Sequence, residues 1–579
     1  MTRSSGCLLL VAMLLLVSRG ASSAEEAPPP REKVRSPVAN APGSPNTGTK
    51  MPLSGLAPAK PMFDACVYQY GVSTTNAKCQ AFVNQGLGQY YSYVWIEAVR
   101  AFETALQHDP ECAYAWLMLH RSLEKWGKPG VIPPAAPYVA VLGGMVYGKL
   151  PDRVGKNAID YSLDSARRLM PKANPREQLL IQARLQEKGM LPGVGPDDRK
   201  KKAAQSLDEL LMLYDDDNEG WYWRAQLASD GGPNATAVFY KALLRVNPLH
   251  PGANHEFVHF FENVRRPALG WPYAENYIKS SPGIPHAHHM QAHLGTRIGK
   301  WGETTDWSAK AVELQLAYHK LQGVTPGEDH QFSHHIDILR QSLVHDGRFA
   351  EVKALRAATG GDKGGPRADA LGLRMALGQH DWDETQRLIE QSRKSDKATG
   401  AYYAALVSLD KGDTEQAGRE VDTLRQLQQT RKTDKALERR LLEIQGRHLC
   451  QKGEGEAGLK LLKKIVDATK NDFSHHAWGN GAVYMESSGV GALEAGVAVD
   501  AEEAFLEALA HDAGSVRGAL GLWALCDRLG RSEEAARYLK LAQRVWAKAN
   551  PKDFAALQSD MAKRATKIAK PAVTAMGDE

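Results

Sequence analysis

The chain has 579 residues, of which 72 are Lys or Arg and 67 are Asp or Glu, giving a formal net charge of +5. So small an excess on so long a chain argues against a dedicated nucleic-acid binder, whose footprint is a strong basic surplus. The 19 histidines are unevenly spread: twelve lie between His250 and His345, where uniform spacing would place about three.

The N-terminus reads as an export signal. Arg3 supplies a positive start, Cys7 to Val17 an apolar run, and Ala21, Ser22, Ser23 and Ala24 a cleavage site, placed after Ala24. That run reaches only about 16 Å as helix, short of the ~30 Å hydrocarbon core. The expectation is a signal peptide over residues 1–24 and a periplasmic or extracellular location. No later segment is apolar enough for a further membrane span. Residues 25–60 carry eight prolines and few large apolar side chains, so a disordered linker is expected there. Beyond Cys7 the cysteines are Cys66, Cys79, Cys112, Cys450 and Cys526, with no CxxC pair. That pattern sets aside a zinc ribbon or a thioredoxin-type site. Cys66 and Cys79 fit either a bridge in an oxidising compartment or two buried thiols.

From Gln85 onward the apolar pattern turns helical. Ala98, Phe102 and Ala105 share a face, Gly86 stands twelve residues before Ala98, and Pro110 ends the helix. This is the grammar of a 34-residue tetratricopeptide (TPR) helix–turn–helix unit. Ala501, Phe505 and Ala508 repeat the spacing, and Gly412 with Ala417, Gly453 with Ala457, and Gly530 with Ala535 mark further worn units. Strand signals are nearly absent. The expected fold is all-α, a TPR-like α-solenoid of stacked antiparallel helix pairs. A Gly- and Pro-rich stretch over 127–155 reads as a long loop, and 487–496 as a Gly-rich insertion. The GGDKGGP run at 360–366 reads as a break between an N-terminal solenoid (61–359) and a C-terminal one (360–563). A flexible tail follows over 564–579.

The histidines fall in three segments, HPGANHEFVHFFEN, PHAHHMQAHLGTRIGKW and EDHQFSHHIDILRQSLVHDGRF. On a helix, residues three and four apart share a face. His255 and His259 form one stripe, with Glu262 three residues on; His286, His289 and His293 form another. Two such stripes facing each other would offer three or four imidazoles to one ion, zinc or a similar transition metal. The candidate ligands are His255, His259, His286, His289 and His293, with Glu262, His334 and His335 as possible additions. The same imidazoles could instead hydrogen-bond to one another and to carboxylates without metal. His255 to His259 also spells H-E-x-x-H, in which a zinc peptidase uses the glutamate as general base. The further histidines of a metzincin are missing: Arg265 and Arg266 stand in their place. No phosphate loop and no G-x-S-x-G elbow is present. Asp215, Asp217 and Glu219 have calcium-loop spacing, but Gln226 occupies the position that needs a bidentate Glu, so an acidic turn is expected.

The segment resembles a group of bacterial TPR proteins carrying HPG-x-x-H-x-x-x-H followed by PHA-x-H-M-x-x-H-x-x-x-R-x-G-x-W. Here these are His250, Pro251, Gly252, His255 and His259, then Pro285, His286, Ala287, His289, Met290, His293, Arg297, Gly299 and Trp301. The resemblance runs from about Gln85 to Arg348. Glu256 departs from it, since an aromatic residue is usual there, and Gln291 and Ala292 also differ. The resemblance implies a fold and a His-rich site, not a substrate. Two functions follow. One is an exported scaffold whose concave face binds a protein or peptide. The other is a metal-dependent hydrolase or oxidoreductase built on the same frame, with His255, His259, His289 and His293 as ligands.

Overall fold

A computed structural model describes residues 50–127, 158–327, 329, 331–358, 366–472 and 480–571. The segment expected as a signal peptide, most of the expected linker, nearly all of the stretch expected as a long loop and the run at 359–365 lie outside the described residues. Thirteen helices lead to and include the histidine segments: α1 (Ala77–Tyr91), α2 (Trp95–His108), α3 (Ala113–Trp126), α4 (Ala158–Leu169), α5 (Pro175–Glu187), α6 (Arg199–Leu213), α7 (Asn218–Leu227), α8 (Pro233–Val246), α9 (Pro251–Asn263), α10 (Pro267–Ser280), α11 (Pro285–Ile298), α12 (Trp301–Gln322) and α13 (Phe332–His345). Twelve more follow among the described residues, from Phe349–Ala358 to Pro551–Ala565. Successive helices pack on one another along the chain, as a TPR-like solenoid requires. Among the described residues no helix is long and apolar enough to cross a membrane.

The repeat grammar has a steric cause. A Cβ on Gly86 would lie 2.7 Å from the Phe102 ring, so only glycine lets α1 lie flat on α2. The second unit repeats this: a Cβ on Gly489 or Gly521 would come within 2.5 Å or 2.4 Å of Phe505. The stretch 487–496 is therefore not an insertion. Residues 487–495 belong to the helix Val483–Ala495, and Gly496 ends it in the left-handed region at φ 75°. Its glycines serve close helix approach, a role that composition alone does not distinguish from a loop.

Two further boundaries differ from expectation. The disordered linker was placed up to residue 60, yet Met51 and Leu53 are buried. Glu103 on α2 accepts the backbone N–H groups of Leu53 at 2.7 Å and Ser54 at 3.0 Å, and Thr104 accepts that of Ala59 at 2.8 Å. Two apolar anchors and a carboxylate clamp thus order a Pro-containing strip. The boundary at 360 is also crossed: one core cluster holds Val312, Leu339 and Phe349 together with Met375, Val490, Phe505 and Trp546. The Trp301 indole donates to Asp512 at 3.0 Å, and the Trp546 indole donates to the His345 carbonyl at 2.8 Å. The C-terminal helices therefore return onto α12 and α13. The five described cysteines are free thiols, and burial pushes the Cys66 thiol up.

Candidate metal centre

Three helices build the cluster. His250 caps α9, its Nδ1 accepting the Ala253 N–H at 3.1 Å, and Pro251 fills the first turn, where no N–H is needed. Burial pushes the His250 imidazole down to about 3. A Cβ on Gly252 would lie 2.6 Å from the Tyr91 ring and 2.7 Å from that of Tyr222. The HPG triplet is thus a cap and a close-packing point that sets where α9 starts.

The stripes then meet. His255 Nδ1 donates to the Tyr91 carbonyl at 2.7 Å, which leaves its Nε2 3.2 Å from His286 Nε2. On α11, His289 Nε2 and His293 Nε2 are 3.0 Å apart. His293 Nδ1 lies 3.3 Å from Glu262 Oε2, and His259 Nδ1 lies 3.7 Å from the same oxygen. Arg297, one turn beyond His293, holds the other oxygen, Oε1, from Nε at 3.1 Å and Nη2 at 2.9 Å. From α13, the rings of His334 and His335 stand 4.7 Å and 4.4 Å from that of His289.

Three overlapping triads result: His286/His289/His335, His289/His293/His334 and His259/Glu262/His293. In each, the ligand atoms lie within 4.8 Å of one another. His255 belongs to none of them and closes the inner end of the row. The first triad is buried throughout, and the third is half-buried. His288 points elsewhere, its Nε2 donating to the Pro282 carbonyl at 2.8 Å. His345 stacks on Trp301 with ring centres 4.0 Å apart. His330, His475 and His476 lie outside the described residues.

Burial, and then the neighbouring imidazoles, push His286 and His289 well below the ordinary histidine value; burial, then His259, does the same to His255. These rings are neutral at neutral pH, the form that ligates metal. For Glu262, burial favours the neutral acid, but hydrogen bonds from His259, His293 and Arg297 outweigh it and hold the carboxyl well below its usual range. Nδ1 of His286 and Nδ1 of His289 are buried with no hydrogen-bond partner. Such atoms cost about 1–3 kcal/mol each when left unpaired, and folds keep few of them.

Several supporting groups carry no sequence motif. His335 Nδ1 donates to Gln315 Oε1 at 3.0 Å. The Gln315 amide bonds Asp329, which lies 2.8 Å from His319 Nε2. This relay fixes the His335 ring and leaves Nε2 as the nitrogen it can offer. Tyr93 holds a left-handed φ of 58°, and its ring centre is 4.3 Å from that of His255. A tyrosine in that region stores strain, which clusters at functional sites. Arg297 was visible only as a letter of the motif; its place four residues beyond His293, on the same helical face, is the signal that could have found it.

The H-E-x-x-H reading fails on direction. Glu256 follows His255 by one residue, about 100° round the helix. Its carboxylate accepts the Tyr93 hydroxyl at 2.9 Å, the Tyr222 hydroxyl at 3.3 Å and the Gln226 amide at 3.4 Å. The peptidase base is turned away from the imidazoles. The acidic turn is likewise structural. Asp217 caps α7, and the buried Glu219 accepts from Tyr68 at 2.8 Å, Tyr114 at 2.7 Å and Trp223 at 3.1 Å.

No protein-family model matches the sequence, and no curated protein matches it. Solved structures similar to it include the TPR domain of P58(IPK), 13% identical, covering 60% of this chain and 98% of that one at a TM-score of 0.17. The human IFIT1 dimer with m7Gppp-AAAA is 13% identical, covering 84% and 92% at 0.25. Yeast Tom70 is 12% identical, covering 85% and 89% at 0.21. Scores this low carry no argument about this chain, and its architecture rests on its own helix pairing.

Proposed function

We propose that this chain is a metalloprotein whose TPR-like array frames a transition-metal site at His286, His289 and His335. The observation that carries this reading is the buried triad itself, three imidazoles whose ligand atoms lie within 4.8 Å of one another, with buried Nδ1 atoms on His286 and His289 that find no hydrogen-bond partner. A metal–nitrogen bond of about 2.0–2.1 Å sets neighbouring ligand nitrogens about 3.4 Å apart in a tetrahedron. In the triad the ligand atoms lie within 4.8 Å of one another. An all-imidazole set suits Zn, Cu, Fe or Ni, and geometry and supply decide among them.

The test is metal content. The full chain is loaded with Zn2+, desalted and counted by mass spectrometry, with about one ion or more expected per chain. His289→Ala and His335→Ala should each lose the buried ion while circular dichroism keeps its helical signal. Retention of metal in both variants, or no metal in the unaltered chain, overturns the reading.

A second reading, peptide binding, is favoured by a cavity of about 240 Å³ among the C-terminal helices. Tyr402, Tyr403 and Leu406 supply apolar wall there, and Arg374, Arg517 and Glu443 supply charge. Leu406→Asp should abolish capture of such a peptide and His289→Ala should not; the reverse result would assign binding to the histidine row.

A further inference from the structure

The buried triad leaves three good ligands unused. Glu262, His259 and His293 share no member with His286, His289 and His335, so both sets can be filled at once. Glu262 is oriented for the purpose. Arg297 grips Oε1 with two donors, which turns Oε2 toward His293 Nδ1 at 3.3 Å and His259 Nδ1 at 3.7 Å. A carboxylate fixed through one oxygen, with the other facing two imidazoles, is how protein groups orient a metal ligand. Side-chain exposure is 29% at His259, 12% at Glu262 and 13% at His293, so water reaches this end of the row.

We propose that His259, Glu262 and His293 form a second metal position, adjacent to the buried one, giving a two-ion centre. The proposal rests on the reading of the buried triad as a metal site. The two positions differ in chemistry. The inner one has three imidazoles and no carboxylate. The outer one has two imidazoles and one carboxylate, a set that leaves coordination positions open and suits Fe2+, Mn2+ or Zn2+. The Nε2 atoms of His289 and His293, 3.0 Å apart, link one imidazole of each set ring to ring, so the two positions lie along one row of imidazoles. A single carboxylate cannot balance two divalent cations. The open positions therefore take an anionic ligand, hydroxide or a small oxyanion, and the outer ion is where a substrate of that class binds.

The experiment uses the full chain loaded with Co2+ alone, read by metal count and electron paramagnetic resonance. Two ions per chain are expected. The spin signal should grow up to the first equivalent and fall as the second couples to it. Glu262→Gln should hold one ion, with the uncoupled signal and the visible absorption of the inner site retained. If Glu262→Gln loses helical structure, the half-exposed His259→Gln replaces it with the same expectation. One ion in the unaltered chain, unaffected by Glu262→Gln and lost in His289→Ala, overturns the outer position and keeps the inner one. Two ions with no coupling overturn the adjacency. No ion at all overturns both positions.

Discussion

The helices around Phe505 and the helices α9 and α11 belong to one array of packed helices, yet they fill the space between helices in opposite ways. Around Phe505, glycines at 489 and 521 let three helices close on a ring with no room for an added carbon. Between α9 and α11 the space holds imidazoles, a carboxylate and a guanidinium, and two buried nitrogens go unpaired. The first arrangement is what stability alone would select. The second costs stability unless something binds there. Two carboxylates show the same contrast. Burial pushes the Glu103 carboxyl up to about 7, against weaker opposing hydrogen bonds from Ser54 and the Leu53 backbone. At Glu262, the histidines and Arg297 reverse the effect of burial.

The strongest way to break this contrast is at Phe505. Phe505→Ala should destabilise the protein by about 3–5 kcal/mol in chemical denaturation, with bound metal unchanged. Loss of metal in a still-folded variant would mean the two regions are not independent.

Glu103 gives the next effect. Its folded value of about 7 stands above the ordinary 4.5, so the folded state binds more protons between these values. The stabilising contribution is complete below about pH 4.5 and is lost as pH rises through 7. One pKa unit is worth about 1.4 kcal/mol, so the loss is on the order of 3 kcal/mol. Glu103→Gln should flatten that window in denaturation curves taken from pH 4.5 to 8. An unchanged slope would assign the pH dependence elsewhere.

Gly252→Ala tests the close approach at the start of α9. The added carbon must displace the Tyr91 and Tyr222 rings, at about 1–3 kcal/mol. Because the Tyr91 carbonyl holds His255, whose Nε2 stands 3.2 Å from Nε2 of the ligand His286, the metal count should fall along with the melting temperature. The smallest stability effect is expected at the site itself. His289→Leu removes a buried Nδ1 that has no partner together with the Nε2 contact to His293, so the two effects offset and the metal-free chain should change by less than about 1 kcal/mol. The same variant should hold no ion in the buried triad. A large loss in the metal-free chain would show that the imidazole is a structural hydrogen-bonding group.

The two histidine stripes were legible because spacings of three and four fix a helical face whatever surrounds it. So was the TPR-like pairing, since the spacing of Ala98, Phe102 and Ala105 recurs in Ala501, Phe505 and Ala508; Gly489, which stands sixteen residues before Phe505 as Gly86 does before Phe102, read as part of an insertion. The relay from His335 through Gln315 to Asp329 was not legible, because it joins α12 to α13 through side chains that belong to no periodic pattern. The order of residues 51–59 was hidden for a related reason. Proline content signals a poor helix, but it says nothing of a carboxylate such as Glu103 waiting on a neighbouring element.

The sequence by itself determined the class of fold, the helical faces that carry histidine, and the absence of a metzincin pattern, all of which depend on local spacing. Only the tertiary structure decided which faces meet. It turned Glu256 toward Tyr93 and Tyr222, set Glu262 between His259 and His293, brought His335 over His289, and placed the C-terminal helices against α12 and α13. Those outcomes depend on the rotation and closeness of packed helices, which long-range contacts fix and spacing along one chain does not.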